Sequence, residues 1–322
     1  MKSIKIGIIM DPIESIKPYK DSCMAMMLAA QRKNWQLYYM QQQQLYIANG
    51  TAKALATAIT VFDDNEHWFE FGASQDMELA EFDAVLMRKD PPFDSEYLYS
   101  CHLLALAEHQ GSLVINSPSA LCNQNEKLFI AQFPQLCSPT LVSRDTQLIL
   151  SFLQEHQDII LKPLDGMGGA SIFRVKQGDG NTNVILEAMS QGGINSIMAQ
   201  KFIPNISAGD KRILMVNGEP VDYCLARIPA KGENRGNIAA GGTGVGQALS
   251  ERDREIASTI GPVLRERGIL FAGLDVIGDH LTEINITSPT CIRELDRQFD
   301  LDIAGDLMDV IEAKLKADKQ AK

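Results

Sequence analysis

The chain has 322 residues, with 30 Lys plus Arg set against 41 Asp plus Glu and a formal net charge of −11; the length points to two domains or one large one, and the acidic balance, without any Lys/Arg run, argues against nucleic acid as a partner. Hydrophobic residues at 45% and charged residues at 22% exclude a disordered or fibrous chain. No apolar stretch approaches the ~18 residues of a membrane helix, and the run 6–10 is cut at Asp11, too short for a signal-peptide core, so a cytoplasmic protein without membrane partners is expected.

A β-branched apolar run over 4–10 precedes a helical pattern over 21–33, with Asp21 or Ser22 as cap and Met24, Met27 and Leu28 on one face. Strands at 35–40, 83–87 and 113–116 and a helix at 95–110 follow, and this alternation predicts a parallel, Rossmann-like sheet over roughly residues 1–120. Residues 45–81 are poorly patterned and are expected to form an irregular insertion. Ser117-Pro118 reads as a helix start, and the domain boundary falls near 122. Beyond it the pattern predicts helices at 125–132 and 145–157. Strands are expected near 141 and at 159–162, 171–175, 196–202, 212–216 and 221–227, the last two joined by an Asn217-Gly218 hairpin turn. The fold class is therefore α/β, turning to α+β with mostly antiparallel sheets in the C-terminal half. Cys23, Cys101, Cys122, Cys137, Cys224 and Cys291 are scattered, with no C-x-x-C pair, and read as reduced, mostly core thiols.

Four constellations carry chemistry. Arg88 and Asp90, in the segment 87–94, follow a predicted parallel strand, where ligands of open α/β sheets bind; an arginine there can pair a substrate carboxylate, although a Pro-Pro loop with surface charges fits the same residues. Lys162 ends a buried strand and leads into a glycine-rich turn, Gly166 to Ser171. Such a turn lets backbone N–H groups approach phosphate oxygens while the lysine adds a point charge, but an ordinary tight hairpin has the same composition. The stretch 229–246 holds six glycines beside Arg227 and around Arg235, and reads as either a closing lid or a disordered segment. Finally, a three-residue loop centred on Asp279 would set Asp275 opposite Glu283, with Asn285 on the same face. Two carboxylates and an amide suit Mg²⁺ or Mn²⁺. A two-residue loop would shift the register and leave a solvated hairpin face.

Taken together, the segments 87–94, 158–176, 223–242 and 281–294, the last reading LTEINITSPTCIRE, resemble the bacterial glutathione synthetases, which are ATP-grasp ligases, and the resemblance runs over nearly the whole chain. It implies an N-terminal α/β substrate-binding domain over 1–122 and an ATP-grasp domain over 123–322. The latter divides into a central part, about 123–202, and a C-terminal part, about 203–322, with a mobile lid at 228–246. It also implies the reaction: ATP, γ-glutamylcysteine and glycine give glutathione, ADP and phosphate through an acyl phosphate, in a homotetramer. Position by position, Lys127 and Lys162 correspond to phosphate-binding lysines, and Gly166, Gly168, Gly169 and Ser171 to the phosphate loop. Gln200, Lys201, Phe202 and Ile203 correspond to the adenine hinge and Asp210 to the ribose contact. Asp275, Glu283 and Asn285 correspond to the metal ligands, and Arg88, Asp90, Asn285 and Ser288 to the substrate site. The tetrahedral oxyanion of such a reaction needs donors, for which Arg212, Arg227 and Arg235 are the candidates. Lys201-Phe202 and residues 243–247 depart from many relatives. Two other readings share part of this pattern. An ATP-grasp ligase of the D-alanine–D-alanine or ribosomal-protein-modifying kind should lack the 87–94 segment, and a non-catalytic nucleotide-binding module should lack the metal carboxylates.

Overall fold

The computed structural model describes residues 3–166, 169–230, 236 and 241–321. Its first sheet contains β1 (Lys5–Ile9), β2 (Gln36–Met40), β3 (Leu45–Ala48), β4 (Thr51–Val61), β5 (Phe69–Glu78), β6 (Ala84–Met87) and β7 (Leu113–Ile115). β2, β1, β6 and β7 lie side by side and parallel, as the alternating pattern predicts. The crossover helices α1 (Ser22–Arg32) and α2 (Ser95–His109) start where an aspartate can cap them: Asp21 accepts the Met24 N–H at 2.8 Å and Asp94 the Tyr97 N–H at 2.9 Å.

Residues 45–81 are not an irregular insertion. They add β3, β4 and β5 to the sheet in antiparallel fashion beyond β2. The turn between β3 and β4 is Asn49-Gly50, both at positive φ (51° and 78°), a hairpin signal that the sequence carried. The alternation in β4 is masked because its inward residues include Ala52, Ala54 and Ala56, whose small apolar surface contrasts weakly with the polar positions.

After α3 (Pro118–Asn123), the helix expected at 125–132 is only a 3₁₀ segment, Leu128–Gln132. Asn125 Oδ1 takes the N–H groups of Lys127 and Leu128, both at 3.0 Å, which tightens the turn. Pro134 then excludes helical backbone at Phe133.

The second sheet has β8 (Thr140–Ser143), β9 (Asp158–Pro163), β10 (Phe173–Lys176) and β11 (Ile197–Lys201), in the antiparallel order β10-β9-β11-β8. One face packs on α4 (Thr146–His156) and α5 (Thr182–Ser190) around a core that includes Leu153, Ile159, Leu161, Val175 and Ile197. Side chains alternate, so the opposite face presents Ile160, Lys162, Met198 and Gln200.

The third sheet has β12 (Asp210–Val216), β13 (Glu219–Ile228), β14 (Thr243–Ala248), β15 (Phe271–Ile277) and β16 (His280–Asn285), all antiparallel in the order β14-β13-β12-β15-β16. β12 and β13 meet at the expected Asn217-Gly218 turn, at φ 50° and 77°. The glycine-rich stretch expected to lack structure ends in β14, which pairs along β13. Helices α6 (Glu251–Glu266), α7 (Ile292–Phe299) and α8 (Ile303–Ala321) close the molecule. The first and third sheets share their cores: Ile9 and Val85 fall in one cluster with Ile213 and Leu274, and Ile6 and Leu86 in another with Leu214 and Phe271. Asn116, 4% exposed, ties them further: its amide donates to Phe271 O and Ile286 O, each at 2.7 Å, and accepts the N–H of Leu270 and Phe271. No helix among the described residues is long and apolar enough to cross a membrane.

Candidate active site

The β15–β16 hairpin turns through two residues, Gly278-Asp279, because Ile277 pairs with His280. That loop alone would put Asp275 opposite Thr282. A bulge between Asp275 and Val276 absorbs Thr282 as the extra residue, so that Asp275 faces Glu283 and Gly273 faces Asn285 after all. Thr282 Oγ1 donates to the Asp275 carbonyl at 3.1 Å, holding the bulge. The expected three-residue loop is thus corrected, while the pairing it was invoked to explain is present.

A cleft lies between the inner faces of the second and third sheets. Lys127, Lys162, Gly166, Gly169, Gln200, Lys201, Phe202 and Ile203 line it from one side, and Asp210, Arg212, Asp275, Glu283 and Asn285 from the other. Glu283 Oε1 stands 3.6 Å from Lys162 Nζ and 4.0 Å from Lys127 Nζ, and both lysines are buried. Lys127 Nζ also donates to Gly166 O at 2.7 Å, joining the lysine to the glycine-rich turn.

Beneath this row sits a chain of buried charges. Arg212 holds Asp275 with two donors, Nε at 2.5 Å and Nη2 at 3.0 Å, and Arg227 Nη2 reaches the same carboxylate at 2.9 Å. Burial opposes ionisation of Asp275, but the two guanidiniums together hold its carboxyl well below the usual range. Arg227 Nη2 also pairs with Asp210 Oδ2 at 2.5 Å. For Asp210 burial is the larger influence: it pushes the carboxyl up against the pull of Arg227, and the neighbouring Asp275 and Glu283 add to the rise. Arg212 borders the cleft, whereas Arg227 is absent from its wall and is 4% exposed.

The donors available to a cation are oxygens, as a hard divalent ion requires. Glu283 and Asn285 are half-buried at the cleft surface, and Asn285 Nδ2 is fixed by Gly273 O at 3.2 Å; Asp275 is already paired with two arginines. The described residues contain no group of three His, Cys, Asp or Glu side chains placed to hold a metal; the amide oxygen of Asn285 adds to the carboxylates on this face.

Other expected residues lie elsewhere. Ser171, at φ 56°, is outside the cleft wall. Arg88 is buried: Nη1 and Nη2 donate to Thr287 O (3.3 Å) and Pro289 O (2.8 Å), and Nε is buried without a partner among the described residues. Half-buried Ser288 is thus flanked by two residues held by Arg88. The Asp90 N–H donates to Asp11 Oδ2 at 2.9 Å, so Asp90 sits at the carboxyl ends of β1 and β6. Gly168 and Arg235 lie outside the described residues, as do 231–234 and 237–240 of the expected lid; Gly236 borders the cleft.

Sequence reasoning missed Glu126. Its Oε1 accepts the N–H groups of Ile286 and Thr287 and the Thr287 hydroxyl, at 2.8–3.0 Å, and its carbonyl accepts the Ile284 N–H at 3.0 Å. It therefore fastens the neighbouring Lys127 beside β16, a role without a local sequence signature. Also missed were Ile160, Ile172, Ile206 and Ile277, which with Ile203 give one part of the cleft an apolar wall.

Comparison with known proteins bears on the whole chain. The model of the prokaryotic glutathione synthetase N-terminal domain matches residues 4–122, and that of the prokaryotic glutathione synthetase ATP-grasp domain residues 126–300. Relatives named glutathione synthetase from Pseudomonas putida and Pseudomonas aeruginosa are each 59% identical over 98% of this chain and 99% of their own. One from Vibrio vulnificus is 58% identical over the same shares. Among solved structures, D-cycloserine synthetase DcsG matches with a TM-score of 0.66 at 13% identity, covering 97% of this chain and 99% of its own. The ATP-grasp ligase PsnB, complexed with minimal precursor, Mg and ADP, matches with a TM-score of 0.61 at 15% identity over 97% and 98%. These two likenesses concern the fold.

Proposed function

The chain belongs to the prokaryotic glutathione synthetase family, and from that premise we propose how its own residues carry the reaction. It is an ATP-dependent ligase that joins γ-glutamylcysteine and glycine into glutathione, releasing ADP and phosphate. A carboxylate is a poor electrophile, so the cysteinyl carboxylate first takes the γ-phosphoryl group, and the glycine amine then displaces phosphate from the acyl phosphate. Little covalent work is left to the protein; it positions the reactants and offsets charge.

The observation that carries this reading is the placing of Lys127 and Lys162 within 4.0 Å of Glu283 on the wall of a cleft that elsewhere is lined by isoleucines. The isoleucine wall and the hinge Gln200 to Ile203 receive the adenine, and Asp210 the ribose. Lys127, Lys162 and the turn Gly166 to Ser171, Gly168 included, hold the phosphates. A divalent cation, Mg²⁺ or Mn²⁺, supplies further charge neutralisation at the phosphates when bound; Glu283 and Asn285 would hold it, with Asp275 as third ligand. Arg212, at the cleft wall, donates to the oxyanion, and Arg227 positions it through their shared carboxylate, Asp275. Arg235 is a further donor from the lid 228–246. Arg88, Asp90, Asn285 and Ser288 receive the dipeptide at the end of β6, within an N-terminal domain spanning 1–122; the ATP-grasp domain spans 123–322.

Two wider proposals accompany these. The chain works as a homotetramer, for which the exposed side chains of Tyr46, Ile47, Leu55 and Phe71 on β3–β5 offer apolar surface. It works in the cytoplasm, a reducing compartment that suits six free thiols. The central test is phosphate release from ATP with γ-glutamylcysteine, with and without glycine. Release matched one-to-one by glutathione, and requiring both substrates, is expected; release unaffected by omitting the dipeptide would overturn the reading.

A further inference from the structure

Alternation along the second sheet does more than sort lysine and isoleucine toward the cleft. On β9 the inward positions are Asp158, Ile160 and Lys162; on β10 Arg174 shares that face, because it pairs with Ile160 and Lys176 pairs with Asp158. Phe202 directly follows β11, and its N–H donates to the Asp158 carbonyl at 3.0 Å. Three strands therefore bring Asp158, Arg174 and Phe202 together at one end of the face.

Their contacts are specific. Arg174 grips Asp158 with two parallel donors, Nε at 2.9 Å and Nη2 at 2.6 Å. That fork fixes the guanidinium plane, and its Cζ lies 3.5 Å from the centroid of the Phe202 ring. Phe202 lines the cleft and Arg174 does not, so the guanidinium backs the ring from outside. Asp158 thus holds Phe202 twice, through its carbonyl to the backbone and through Arg174 to the side chain.

We propose that Asp158 and Arg174 are positioning residues for nucleotide binding: they lock Phe202 so that the apolar end of the cleft is formed before ATP arrives. This rests on the nucleotide reading of the cleft. Neither residue is part of the cleft wall that carries Lys127, Lys162, Glu283 and Asn285, so the pair acts on ATP affinity and not on the chemical step. A phenyl ring free to rotate would have to be ordered by each incoming base, at a cost in affinity.

The test is steady-state kinetics on the full-length protein with ATP titration of the free protein. Arg174→Gln and Asp158→Asn are each expected to raise KM for ATP about fivefold, leaving kcat and KM for γ-glutamylcysteine unchanged. Arg174→Lys keeps the charge but loses the stacked plane, and should not restore affinity. In a Phe202→Leu background, Arg174→Gln should have no further effect, because the ring it braces is gone. An ATP KM within twofold of wild type in both single variants overturns the proposal. So do full rescue by Arg174→Lys, losses spread equally over kcat and both substrates, or effects that multiply in the double variant. If the wild-type protein binds no ATP, the nucleotide reading itself fails and the clamp with it; if it binds and the variants bind as tightly, the clamp alone fails.

Discussion

Asp275 holds its opposing charges at closer range than Glu283 does, since Arg212 and Arg227 both close on its carboxylate. Replacing it by Asn leaves two buried guanidiniums short of a counter-charge, and loss of one partner in a buried ion pair costs about 3–5 kcal/mol. Glu283 is half-buried and faces two lysines at longer range, so Glu283→Ala should unfold at nearly the same denaturant midpoint as wild type while losing turnover at saturating Mg²⁺. Equal destabilisation by the two substitutions would show that Glu283 is a structural residue. Asp296, on α7, gives a pH-dependent case. Burial pushes its carboxyl up to about 6 against the Ile303 N–H bond, with Asp302 and Asp306 adding to the rise and Arg293 opposing it. A raised folded value means that ionisation costs stability as pH climbs from the unfolded value near 3.8 through 6. Asp296→Asn should therefore raise the thermal midpoint at pH 7 and leave it unchanged at pH 3.5; a gain of equal size at both would trace to something other than ionisation. Lys162 and Glu283 were legible from their own motifs, whereas Lys127 came only from the family resemblance. The pairing of Asp275 with Arg212 and Arg227 was not, because it depends on the register of two further strands.

The hairpin of β15 and β16 shows how an element can reach an expected arrangement by another path. Alternation around Asp275, Glu283 and Asn285 was readable as a shared face, but the pattern of polar and apolar residues has no symbol for a bulge, so the loop length was wrong and the pairing right. The strands β3–β5 failed to register because alanines supply the buried side of β4, although Asn49-Gly50 marked their turn. The two hairpin turns also separate conformational strain from crowding. A Cβ at Gly50 meets nothing within 4 Å, so Gly50→Ala pays only for positive φ, about 1 kcal/mol. At Gly218 the same Cβ would lie 2.5 Å from the Gly261 carbonyl of α6, so Gly218→Ala must also push helix and turn apart, and a loss of more than about 2 kcal/mol is expected. Urea unfolding of both variants decides the point, and similar losses would mean that α6 yields freely.

Over the whole molecule the packing is uneven. The first and third sheets share continuous cores, whereas the second sheet has a small core of its own with α4 and α5. Amides of β8–β11 should therefore exchange with solvent together, at lower opening free energy than those of β1, β6 or β15, and ATP should slow them. Uniform protection across all three sheets would contradict this division. The turn to mostly antiparallel sheets in the C-terminal half was readable in the sequence, but the fusion of its core with that of the first sheet was not, since it is made by residues hundreds of positions apart. Asn116 is the polar counterpart of that fusion: four hydrogen bonds from one amide lash β7 to the hairpin that bears Asp275, Glu283 and Asn285. The end of the first sheet where the dipeptide is proposed to sit and the charged hairpin it must face are therefore one rigid piece. Folding then fixes the relation between these two protein surfaces, and each catalytic cycle has only the bound substrates, and not the walls that hold them, left to align.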